Sequence, residues 1–144
     1  MTGAPYSTYY SPLNPTFINW PLTSFLNSTG TVPTATGYAQ YTKIGNLVYL
    51  HFKYTFVTVG TGNYSLNLPV PLSSTYNRPQ TQWFVKYSDD KVHSGIYNEN
   101  TSTRVNMVAN VTYHGVPAAF TSASPNAGLA AGDIVHGEIT YQID

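Results

Sequence analysis

Side chains that can move a proton or hold a metal are scarce in this chain: six carboxylates, four histidines and no cysteine in 144 residues. Catalysis needs such groups to converge, and along the sequence they stand apart. His51 falls on the polar side of an alternating stretch, His114 precedes a glycine, and His136 lies near the C-terminal end. No two histidines have the i, i+2 or i, i+4 spacing that would aim both at one metal. Asp89-Asp90 is an acidic pair, but no Asp/Asn/Gly ladder of the calcium-loop type follows it, so it reads as a solvated turn. Glu99, after Tyr97-Asn98, reads the same way. With no acid/base pair and no nucleophile motif, the expectation is a non-enzymatic chain that needs neither cofactor nor metal.

Recognition chemistry is better represented. Thirteen tyrosines exceed ordinary usage, and each offers a broad apolar ring with one hydroxyl at little entropic cost, which suits binding surfaces and subunit seams. Tyr41, Tyr54 and Tyr141 fall on core or seam positions. Tyr76, Tyr87 and Tyr97 fall near expected loops, where a ring can stack on a sugar or a partner. Asp89, Asp90, His93, Asn98 and Glu99 crowd the same span of an otherwise charge-poor chain, so the loops around Tyr87 to Tyr97 and Ser122 to Gly132 are expected to face a receptor. Charged residues are only 8% of the chain, six basic against six acidic. That balance leaves no footprint for nucleic acid and no polybasic patch for a membrane. No apolar run is long enough to span a bilayer, and Met1 to Leu13 lacks the basic and apolar regions of a secretory signal.

Two regions differ in their pattern. Residues 1–37 are rich in Pro, Tyr, Thr and Ser; Pro5, Pro12, Pro15, Pro21 and Pro33 forbid a long helix or a central strand. This stretch is expected to be an extended arm. Its apolar members, among them Phe17, Trp20, Phe25 and Leu26, are too many to leave in water. They either cover the protein's own domain or dock on a partner, and the arm is expected to anchor the protein to that partner. Residues 38–144 alternate with period two. In Leu47 to Phe56, Val48, Leu50, Phe52, Tyr54 and Phe56 share one face, and Tyr49, His51, Lys53 and Thr55 the other. Gly45-Asn46 marks a hairpin turn ahead of this strand. Further strands are expected at Tyr64 to Leu68, Gln82 to Tyr87, Val92 to Asn98, Thr103 to Tyr113 and Ile134 to Ile143. Seven or eight short strands without an amphipathic helix predict an all-β fold, an antiparallel β-sandwich of jelly-roll type.

Three phrases carry a family resemblance. Trp20-Pro-Leu-Thr-Ser-Phe-Leu-Asn27 is followed by Ala39-Gln-Tyr-Thr-Lys-Ile-Gly-Asn-Leu-Val-Tyr-Leu50, and the chain ends on Ala130-Ala-Gly-Asp-Ile-Val-His-Gly-Glu-Ile-Thr-Tyr141. In this order they resemble a bacteriophage minor tail, baseplate or tail-fibre tip module, which also carries a Leu-Pro where Leu68-Pro69 stands. Thr29-Gly30 replace the module's second Trp, and residues 76–115 match none of its phrases. The resemblance implies a β-sandwich without enzymatic activity, made in the bacterial cytoplasm and displayed on the virion surface. Its partners would be its own copies in a homotrimer, other virion proteins through the arm, and a host-surface glycan. A head decoration protein and a free carbohydrate-binding module or lectin are the competing readings.

Overall fold

The computed structural model describes residues 15–75, 79, 81–87, 92–113, 116–121 and 129–144, with the side chains of these apart from 99–100, 110–113 and 116–118. In chain order the elements are β1 (Ile18–Asn19), a helical turn α1 (Leu22–Phe25), β2 (Leu26–Ser28), β3 (Thr34–Ile44), β4 (Leu47–Thr58), β5 (Tyr64–Asn67), β6 (Gln82–Lys86), β7 (Val92–Thr101), β8 (Arg104–Tyr113), β9 (Val116–Ala119) and β10 (Ile134–Gln142). The fold is all-β and antiparallel, as the alternation requires. Its two facing layers are parts of one sheet, ordered β1-β3-β4-β10-β6-β7-β8-β5-β2 with β9 on β8, curled into a half-barrel.

The period-two reading of β4 holds residue by residue: Val48, Leu50, Phe52, Tyr54 and Phe56 are buried, while Tyr49, His51, Lys53 and Thr55 lie on the outer side. Gly45-Asn46 joins β3 to β4 with Ile44 opposite Leu47. Gly45 stands at φ 59°, the first-position geometry of a tight hairpin turn that favours glycine. β10 pairs the other edge of β4 along its whole length, from Ile134 opposite Thr55 to Gln142 opposite Leu47. The turn entering β10 is tied by its own aspartate: the Asp133 carboxylate accepts the Ala130 N–H at 2.8 Å, and the Asp133 carbonyl accepts the Phe56 N–H at 3.0 Å.

Inside the curl, rings touch in sequence. Phe25 packs on Phe52, Phe52 on Tyr54, Tyr54 on Phe56, Phe56 on Tyr64, Tyr64 on Phe120 and Phe120 on Trp83, with centroid separations between 4.4 and 5.8 Å. Those spacings are the favourable range for tilted and edge-on aromatic pairs. A chain without cysteine draws its stability from this packing.

The Pro-rich stretch corrects the expectation of a free arm. From Ile18 onward it belongs to the sheet: β1 pairs β3, β2 pairs β5, and these are the two ends of the strand order. Proline forbids a central strand but not an edge. Pro21 opens α1, its carbonyl accepting the Ser24 and Phe25 N–H groups at 2.9 Å, and this turn carries the chain from one edge of the curled sheet to the other. Phe25 and Leu26 are thereby buried in the protein's own core, and Trp20 packs half-buried against it. These three are not free to grip a partner. Phe17 remains 40% exposed. Residues 1–14 lie outside the described residues.

Asn67 fastens this clasp. Its carbonyl accepts Trp20 Nε1–H at 3.0 Å, its amide nitrogen donates to the Ser24 carbonyl at 2.9 Å, and its amide oxygen accepts Arg104 Nε–H at 3.2 Å. Its amide oxygen also accepts Asn27 Nδ2–H at 3.4 Å, so replacing Asn67 by alanine removes three side-chain bonds and is expected to cost about 1–2 kcal/mol. Amide hydrogen exchange should show the loss concentrated in residues 20–28. Uniform acceleration across β4 and β10 would mean that the clasp is not a separate element.

Candidate functional site

The outer face of β3, β4, β10 and β6 gathers polar and aromatic groups that are far apart in sequence. The register lays Tyr38, Lys53, His136 and Phe84 in one row across four strands: Tyr38 opposite Lys53, Lys53 opposite His136, His136 opposite Phe84. The next row holds Gln40, His51 and Glu138. Three steps between strands place Tyr38 about 14 Å from Phe84. Between them runs an open groove of about 750 Å³, floored by the sheet and edged by Thr81 and Gln82.

The rings are locked against one another. Phe84 stacks on His136 at 5.4 Å, and Tyr38 and Phe17 each meet His51 edge-on, at 5.4 and 4.9 Å. Nε2 of His51 is buried without a hydrogen-bond partner among the described residues. Tyr49 donates its hydroxyl to the Glu138 carboxylate at 2.8 Å. Burial, and then that bond, push the Tyr49 phenol up to about 12, because ionising it would set two negative charges side by side.

Thr81 adds backbone strain at the rim. It stands at φ 91°, a conformation costly for a β-branched residue, and its hydroxyl donates to the Glu138 carbonyl. Such outliers persist where surrounding structure over-determines them and concentrate at binding sites.

The structure separates the residues that the sequence grouped as receptor-facing. Tyr87 and Tyr97 are 3% and 6% exposed, so neither ring is a loop contact. β7 continues through this span, and the strand phase turns Tyr97 inward, where its hydroxyl reaches the Gln82 carbonyl at 3.2 Å. Tyr87 packs edge-on against half-buried His93, centroids 5.5 Å apart. Asn98 is exposed within β7 opposite Asn106, and Glu99 pairs with Val105 through the backbone. Asp89, Asp90, Tyr76, His114 and residues 122–128 lie outside the described residues. The groove residues Tyr38, Phe84 and Glu138 were not singled out by sequence reasoning, and His136 was weighed only as an isolated histidine. The available signal was their outward phase in alternating strands, as for Tyr49, His51 and Lys53, but their meeting depends on register between distant segments.

Glycoside hydrolysis of the usual kind needs two facing carboxyl groups, and among the described residues Glu138 is the one carboxylate lining the groove. No cluster of three His, Asp or Glu side chains able to hold a metal occurs among the described residues. No family model, no curated protein and no solved structure matches the chain.

Proposed function

We propose that this chain is a non-enzymatic virion-surface domain of the phage tail or fibre-tip type, which assembles with its own copies and recognises the host surface. The observation that carries the recognition role is the outer-face groove, a row of interlocked rings and hydrogen-bonding groups on a rigid sheet. The phage-like phrases also occupy the positions that shape the fold: Trp20 in the clasp, Gly45-Asn46 at the β3–β4 turn, and Gly132-Asp133 at the entry to β10. That placement supports reading them as a structural signature rather than as composition.

Assembly has exposed apolar residues available. Ile44 and Leu47 are 58% and 50% exposed at the tip of the β3–β4 hairpin, with Val57 at 53% near the other end of β4. An oligomer is the economical way to remove such groups from water. Light scattering is expected to give three times the 15.8 kDa chain mass, and immunoblotting is expected to detect the chain in purified phage particles. A monomer in solution that is also absent from particles would overturn this reading.

A further inference from the structure

We infer that the outer-face groove of β3, β4, β10 and β6 is a carbohydrate site, shaped for a neutral oligosaccharide of about three sugar rings laid across the strands. This deepens the recognition role proposed above by giving it a place and a ligand class. The argument starts from the two ends of the row. Tyr38 and Phe84 line the groove three strand spacings apart, and a sugar's C–H face stacks on such rings with little loss of side-chain entropy. Between the rings lie groups of both hydrogen-bonding senses: Lys53 donates, Glu138 accepts, and Gln82 does both. A polyol, whose hydroxyls are each donor and acceptor, satisfies such a mixture.

Charge decides against the alternatives. An anionic ligand would meet Glu138 as well as Lys53, and a cationic one the reverse, so the pair favours a ligand with no net charge. An apolar peptide would leave both charged groups desolvated and unmatched. The groove is open along its length rather than enclosed, which suits an internal stretch of a longer chain. Its floor is held rigid by paired strands on every side: β4 lies between β3 and β10, and β10 between β4 and β6. Glu138 is oriented by its bond to Tyr49 and Thr81 by its bond to the Glu138 carbonyl. Preorganisation of this kind reduces the ordering cost of binding.

The test is an array of immobilised neutral and acidic oligosaccharides of three to six sugars, probed with the whole chain and followed by titration of the strongest binders. The wild type is expected to bind neutral members. Tyr38→Ala and Phe84→Ala are each expected to weaken binding by roughly tenfold or more, equivalent to the loss of one stacking contact, whereas Val32→Ala, in the loop between β2 and β3 and outside the groove lining, should bind as wild type. Tyr38 is 42% exposed, so its variant keeps the test valid even if Phe84→Ala folds poorly; Phe84→Tyr should retain binding. Failure of the wild type to bind any neutral oligosaccharide, binding confined to acidic members, or ring variants that bind unchanged would each overturn the inference. Absence of the chain from phage particles would instead defeat the virion reading and leave the groove result standing.

Discussion

Replacing Trp83 by alanine is expected to lower the unfolding free energy by about 3–5 kcal/mol, a large fraction of the stability of an ordinary domain. Trp83 is fully buried on β6 and closes the chain of core rings, 4.4 Å from Phe120. Its indole lies across Gly95 of the neighbouring strand, so close that a Cβ at Gly95 would come 2.1 Å from the ring. Its Nε1–H donates to the Ile96 carbonyl at 2.9 Å. Truncation therefore removes a large apolar surface, opens a cavity and strips a carbonyl of its partner, three losses of the same sign. Gly95→Ala attacks the same joint from the other side and is expected to cost about 1–3 kcal/mol by overpacking. Phe84→Ala, on the opposite face of β6, should cost about 1 kcal/mol or less. Urea unfolding midpoints of the three variants check the order, and a Phe84 variant as unstable as the Trp83 variant would mean that the faces of β6 are misassigned.

Alkali is expected to destabilise the protein progressively above pH 10 and to unfold it cooperatively above about pH 11. Tyr54, Tyr97 and Tyr141 are buried, and burial holds each phenol above its ordinary value in the folded state. In the unfolded chain they ionise near pH 10. Below that pH both states are protonated and stability is at its full value. Above it the unfolded state releases protons that the folded state retains, so stability falls by about 1.4 kcal/mol per pH unit for each tyrosine. Three such residues remove about 4 kcal/mol by pH 11. Tyrosinate absorbance and far-ultraviolet circular dichroism should therefore change together as pH rises, and Tyr54→Phe should shift the transition upward. Ionisation of all tyrosines near pH 10 with the sheet intact would contradict the burial of these rings.

How much of this was readable in advance follows from the range over which each signal acts. The two faces of β4 and the Gly45-Asn46 hairpin are local, set by period two and one turn dipeptide, and the structure keeps them. For Phe25 and Leu26 local reasoning left two readings open, cover for the protein's own domain or a partner, because proline content says that a strand cannot be central but not that it can close both edges of a sheet. Tyr97 was misplaced for a related reason: its neighbours Asn98 and Glu99 look like a turn tip, yet β7 runs on to Thr101 and its phase sends the ring inward. The groove was legible least of all. Tyr38, Lys53, Phe84, His136 and Glu138 come from four strands, and only the pairing of β10 between β4 and β6 brings them together. No spacing within any one segment encodes that register.

Cryo-electron microscopy of intact particles tests the central claim most directly, because it locates the chain and orients its groove in one map. The expected result is density for this domain on the tail or fibre tip, with Tyr38, Lys53, His136 and Phe84 facing solvent and the exposed apolar residues Ile44 and Leu47 turned toward neighbouring copies. A domain whose β3–β4–β10–β6 face is sealed against another virion protein would contradict recognition through that face, and particles without the chain would contradict the virion role itself.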